Sequence, residues 1–202
     1  MGGGRQRQFD EQVALDAAMR VFWSNGYSGT ALSDLTHVMG INKPSLYAAF
    51  GNKEALFIRA LSHYVDKHGS PHIEALRTAT GSLRSRLSAY LKSIARMVCD
   101  SSLPGGCLVA ETTSEAGGDC LPAGASQAVA KINQRTRSTL IDFFRHEALS
   151  GNLADTGSVE VLADYLLALQ YGLAVMARNR TKREILDKVI EFAVADFSHR
   201  DR

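Results

Sequence analysis

Asn42, Lys43, Pro44 and Ser45 set an amide, an ammonium and a hydroxyl close together, just ahead of an apolar and aromatic run. At the start of a helix such groups hydrogen-bond to base edges or phosphates. Lys43 and Ser45 are the ones placed to reach them. A second chemical candidate is Cys107, which follows Gly105 and Gly106. At the N-terminus of a helix its thiolate would be favoured by the dipole, and an open thiol there can sense electrophiles or oxidants. The alternative is a small buried residue, the usual fate of an unpaired cysteine.

Other constellations carry less. Cys99, Cys107 and Cys120 are odd in number and contain no C-x-x-C pair, which speaks against a disulfide framework or a zinc site. Cys99 and Cys120 read as core or loop residues. Glu111 and Glu115 lie one helical turn apart and read as a solvated or loop-facing edge. His146 neighbours Glu147. Asp34 precedes His37 by three positions, as Asp196 does His199. The Glu-x-x-His pairs of di-iron bundles, H-E-x-x-H, G-x-S-x-G and a Walker loop do not occur. Neither an enzyme, a metal nor a cofactor is therefore expected. A formal charge of +2 leaves nucleic-acid binding to a local surface rather than to bulk electrostatics.

The elements that must position these groups lie between Gly26 and Phe57. Thr30 stands where it can cap a first short helix carrying Leu32, Leu35 and Met39 on one stripe. Gly40 suits the left-handed residue that ends it. Asn42 can cap a second helix, with Pro44 in its first turn and Leu46, Tyr47 and Phe50 on its apolar side. Gly51 closes that helix, and Asn52 caps a third. Two short helices around a glycine turn form a helix-turn-helix plan, or equally an ordinary helical hairpin at the edge of a bundle.

Gly26-Tyr27, Thr30, Leu35, Gly40-Ile41, Ser45-Leu46-Tyr47, Phe50 and Lys53-Glu54-Ala55-Leu56 together resemble the signature of TetR/AcrR-family bacterial transcriptional regulators, over residues 14 to 61. The resemblance implies DNA contacts from Thr30, Ser33, Asn42, Lys43, Pro44, Ser45, Tyr47 and Lys53, with Thr30, Tyr47 and Lys53 on phosphates. It further implies an N-terminal arm near DNA, here containing Arg5 and Arg7, and an effector. A small molecule is the expected effector. The implied fold is all-α: an N-terminal three-helix helix-turn-helix domain over residues 1–52, a linking helix over 52–68, and a C-terminal ligand-binding and dimerisation domain over 69–202.

The remaining chain alternates helices and breaks. Phe9 to Asn25 forms the first helix, with Trp23 as core or domain-interface filler. The long helix to His68 should break at Gly69-Ser70-Pro71. Helices follow over 72–79, 83–100, 107–116, 121–149, 158–177 and 182–197. Tyr90, Met97, Cys107, Phe143, Tyr165 and Tyr171 are candidates to line a ligand pocket. The last two helices are apolar nearly all round, so a spare face should meet a second copy of the chain. Val161, Tyr165, Leu169, Leu173, Ile185, Val189 and Phe192 are the residues for that seam, which gives a homodimer on a pseudo-palindromic double-stranded operator. No apolar run is read as reaching the length needed to span a bilayer and no signal segment is expected, so the chain is read as cytoplasmic, away from membranes. The competing reading is a helical-bundle small-molecule-binding protein or enzyme without DNA binding.

Overall fold

Asp10 opens the first helix, its carboxylate accepting the N–H groups of Gln12 and Val13 at 2.8 and 3.2 Å. Helix α1 (Glu11–Asn25) ends at Gly26, where φ is +70°. In the computed structural model, which describes residues 9–153 and 158–198, the chain then forms α2 (Leu32–Met39), α3 (Lys43–Phe50) and α4 (Lys53–Tyr64). The capping chemistry expected of the asparagines holds. Asn42 accepts from Ser45 N–H and Asn52 from Ala55 N–H, both at 2.8 Å, and Gly40 is left-handed with φ +64°.

Thr30 is not the cap of α2. Ala31 holds that position, and the Asp34 carboxylate accepts its N–H at 3.0 Å. The Thr30 hydroxyl instead donates backwards to the Gly26 carbonyl at 2.6 Å, which closes the turn between α1 and α2 and leaves the residue 2% exposed.

The break expected at residues 69–71 is also absent. Backbone torsions stay right-handed through a π-helical turn (Val65–Gly69) into α5 (Ser70–Thr78), where Pro71 falls in the first turn. Pro71 has no N–H to offer the preceding turn, and the wider π-helical turn ahead of it accommodates that loss without ending the helix. The remaining helices are α6 (Leu83–Val98), α7 (Leu108–Gly117), α8 (Ala123–Leu149), α9 (Val159–Arg178) and α10 (Arg183–Ala193), followed by a 3-10 turn (Ala195–Ser198). Each lies within a few residues of its expected bounds.

The core runs unbroken from the first helices into the last. Helix α1 packs on α4 and α2, while α6 sits between α5, α9 and α10. At the junction the Trp23 and Tyr64 rings meet edge-to-face, with centroids 4.7 Å apart, and both are buried. Asp16 of α1 reinforces the seam. Burial works against its charge, but hydrogen bonds from Lys67 and His63 hold its carboxyl down at about 2.

Helix α9 buries Ala163, Leu166, Leu173 and Ala174 and exposes Val161, Tyr165 and Val175. Contrary to the sequence expectation, its length and a mean hydropathy of 1.4 suffice to cross a membrane. Glu160 and Asp164 interrupt the apolar run without bringing down its average. The opposed inner and outer apolar faces match a helix between its own core and another surface.

Glu147 of α8 is 1% exposed. It accepts from Arg86 at 2.5 Å and from Asn152 at 3.0 Å. Burial opposes its ionisation, yet Asn152 and Arg86 together bring its pKa below the ordinary carboxylate value. A depressed carboxylate contributes stability above its unfolded pKa of about 4.3 and loses it as pH falls. Replacing Arg86 with Ala strands this charge and should cost about 3–5 kcal/mol, read by urea unfolding at pH 7. Acidification below the carboxylate range should shrink the difference between the variant and the parent.

Candidate nucleic-acid interface and effector cavity

Helices α2 and α3 present one outward face. Ser33, Asn42, Lys43, Pro44 and Tyr47 are all exposed on it, Tyr47 at 47%, and Ser45 is partly covered. Leu35, Met39, Leu46 and Phe50 anchor the opposite faces in the core. Ser45 N–H is already taken by Asn42, so that amide serves the helix start rather than a partner. Lys53 lies beside this face with its ammonium 4.2 Å over the Tyr27 ring. Burial lowers its pKa, with the nearby Glu115 charge pulling the other way. Thr30 differs from these residues, its hydroxyl being turned inward onto the Gly26 carbonyl. Helix α3 carries Lys43 and no Arg. Arg5, Arg7, His199 and the Asp196 side chain lie outside what the structure describes.

Behind α4 lies a cavity of about 510 Å³. Tyr64, Tyr90, Met97, Cys107 and Val109 form part of its wall, and Arg77, Lys131 and Arg135 stand on its rim. Tyr90 and Met97 are where the sequence placed them. The Tyr90 hydroxyl donates to Gln170 at 2.8 Å, and Gln170 itself lines the space. His72 is a further polar wall residue. Its Nδ1 lies 2.8 Å from Ser93 Oγ and its Nε2 has no partner among the described residues, while burial drops its pKa to about 4. Nothing in the sequence singled out Gln170 or His72, because helical spacing alone does not say which polar side chain turns inward.

Three candidate ligand residues are elsewhere. Phe143 lines a smaller neighbouring cavity of about 320 Å³, its ring under the Arg86 guanidinium at 4.8 Å. Tyr165 is on the outer side of α9 and donates to the Ala193 carbonyl at 3.2 Å. Tyr171 donates to Asn133 Oδ1 at 3.1 Å and is not part of the main cavity wall.

Cys107 lines the cavity at the N-cap of α7, as its position implied, but not as a thiolate. Burial pushes its pKa up and outweighs the Tyr64 hydroxyl, which donates to Sγ at 3.3 Å. The helix dipole is too small to repay desolvation of a fully enclosed sulfur.

Of the two readings of Glu111 and Glu115, solvated or loop-facing, Glu115 takes the second. Glu111 lies 3.0 Å from the Arg178 guanidinium as an ion pair without the alignment of a hydrogen bond. Glu115 accepts the N–H groups of Tyr27 and Ser28 at 2.9 and 3.1 Å.

The family model for bacterial regulatory proteins of the tetR family matches residues 14–60, and that for the tetracyclin repressor-like C-terminal domain matches residues 84–193. This chain belongs to the TetR family. The HTH-type transcriptional repressor ComR of Escherichia coli (strain K12) is 32% identical over 92% of this chain and 88% of its own length. A second repressor of that strain, BdcR, is 37% identical over 54% of each chain. Among solved structures, a cysteine mutant of the TetR-family regulator CifR complexed with 26-base-pair operator DNA has a TM-score of 0.82. It is 35% identical, covering 95% of this chain and 98% of that one. The chain is thus a DNA-binding transcriptional regulator of this family.

Thr30→Val should cost about 1 kcal/mol in thermal or urea unfolding, through loss of the hydrogen bond to Gly26. Duplex affinity should stay that of the parent. A uniform loss of affinity across sequences, at an unchanged salt slope, would return the hydroxyl to the phosphates.

Proposed function

We propose that this TetR-family chain is a homodimeric repressor that grips a pseudo-palindromic operator and lets go when a small molecule fills the cavity behind α4. The observation that carries the reading is the outward tip of α3, with Lys43 and Tyr47 exposed on a unit whose reverse face is locked into the core. In a dimer two such tips enter successive major grooves about 34–36 Å apart. The role is regulation rather than catalysis, exercised in the cytoplasm where the chromosome lies.

The dimer seam is supported by apolar side chains left outside the protomer. Phe192 is 87% exposed, and Val161, Tyr165 and Ile185 are exposed beside it, with Leu169 and Val189 half-buried. Leu173 drops out of this set because it is 1% exposed and packs inward, while Val175 joins it. Side chains of this kind facing water mark an interaction surface.

Release by an effector is supported by the cavity wall. Tyr64, which closes one side of it, is a residue of α4 and packs on Trp23 of α1. An occupant that prefers one setting of α4 shifts the population of DNA-competent molecules by its differential affinity. A neutral Cys107 favours a reversible occupant over a covalent electrophile.

Lys43→Ala should weaken binding to every duplex tested and reduce the dependence of log K on log salt by about one per lost phosphate contact. Fluorescence anisotropy over a salt series reads this, and an unchanged slope would remove Lys43 from the backbone contacts. Phe192→Asp should yield folded monomers in sedimentation velocity, with operator affinity down by at least about tenfold. A variant that stays dimeric would move the seam elsewhere.

A further inference from the structure

The turn after α1 leads directly into the helix-turn-helix unit, and it is held from outside. The Glu115 carboxylate, near the end of α7, takes two consecutive N–H groups of this turn, those of Tyr27 and Ser28. The Ser28 hydroxyl donates to the Cys120 carbonyl at 3.1 Å. Arg178, at the end of α9, donates to the carbonyls of Trp23 and Ser24 at 3.2 and 2.7 Å. Gly26 makes room for this grip. A Cβ there would sit 2.7 Å from Glu115 Oε1 and 3.1 Å from its Cδ, on a backbone already at φ +70°.

We infer that Glu115 is a positioning residue for DNA binding: it fixes the pose of α2 and α3 against the body of the protomer and holds it in the operator-competent setting. Two consecutive N–H groups on one carboxylate fix orientation as well as distance, and charge-assisted bonds of this kind are the stronger class. The same helix begins at the cavity wall, with Cys107 at its cap and Val109 in its first turn, both lining the space. Eight residues of helix separate Cys107 from Glu115, about 12 Å of rigid rod. An occupant that shifts the cavity end of α7 therefore moves the carboxylate at its other end. This last step rests on the effector reading above; the positioning role does not.

The test uses the full-length chain and a labelled duplex selected by that chain from a random pool, with affinity measured well below the unfolding midpoint. Glu115→Ala should weaken binding about tenfold, within the usual range for coupling between sites. Hydrogen exchange at the Tyr27 and Ser28 amides should quicken while helical content is kept. Glu115→Gln, which keeps one accepting oxygen but sets an NH2 against the other N–H, should recover only part of the affinity. Gly26→Ala should weaken binding in the parent and add less than its single effect on top of Glu115→Ala, because the side chain it collides with is gone. If Glu115→Ala proves unstable, Glu115→Gln and the Gly26 cycle decide the matter. Unchanged or tighter operator binding with faster exchange at Tyr27 and Ser28, or strict additivity in the cycle, overturns the inference. Should no cavity ligand alter the parent's affinity while Glu115→Ala still weakens it, the effector reading fails and the positioning role stands.

Discussion

Tyr64 is the residue on which both halves of the molecule lean. One face of its ring environment is Trp23, edge-on at 4.7 Å, and its hydroxyl reaches Cys107 Sγ at 3.3 Å. The first contact belongs to the DNA-binding unit and the second to the cavity wall. An aromatic pair in this geometry adds about 0.5–1.5 kcal/mol beyond the area it buries. A close-packed interior transmits a displacement rather than absorbing it. Burial of the phenol well away from water raises its pKa, so it stays a donor to sulfur across the working pH range. A shift in the wall cannot leave the seam untouched, because one side chain forms part of each.

The polar ties around that seam differ in kind from the aromatic one. Glu54 accepts the Ala125 N–H at the start of α8 at 3.1 Å, and a Cβ at Gly124 would stand 2.6 Å from its oxygen. Glu115 repeats the pattern at Gly26. In both places a carboxylate meets backbone N–H groups at a point where a glycine admits it. Such bonds are directional, and they break cleanly when an element slides. The aromatic contacts hold the halves together through buried area, while the polar ones set their angle.

The helix-turn-helix unit was largely legible because local chemistry decides it. Asn42, Asn52 and Gly40 do what caps and terminators do whatever the tertiary context, and the stripe of Leu35 and Met39 admits one inward face. The misreadings arose where a side chain had a choice. Thr30 can cap forwards or close the turn behind it, and only the position of the Gly26 carbonyl settles which. Pro71 looked like a break because the preceding π-helical turn, which carries it into a first-turn position, leaves no mark in hydrophobic spacing. Leu173 lies twelve residues from Val161. At 3.6 residues per turn it is swung about a third of the way round α9, from the outer face to the core. The partners of Glu115 and Glu111 lie on distant elements, out of reach of sequence spacing.

The near-neutral charge of the chain constrains how it can hold DNA. Counterion release rewards each phosphate neutralised, so a protein with few cations on its binding face gains little non-specific affinity from each copy. Here α3 carries Lys43 alone, and the Lys53 ammonium is partly withdrawn over Tyr27. On the function proposed above, affinity comes from having two correctly spaced tips engaged together, where the second contact is made at high effective concentration. That arrangement makes operator binding depend steeply on the angle between tip and body. A regulator built this way gains sensitivity from its weak electrostatics, because a small tilt of one unit forfeits the joint engagement. A strongly basic binding face would keep hold of DNA through the same tilt.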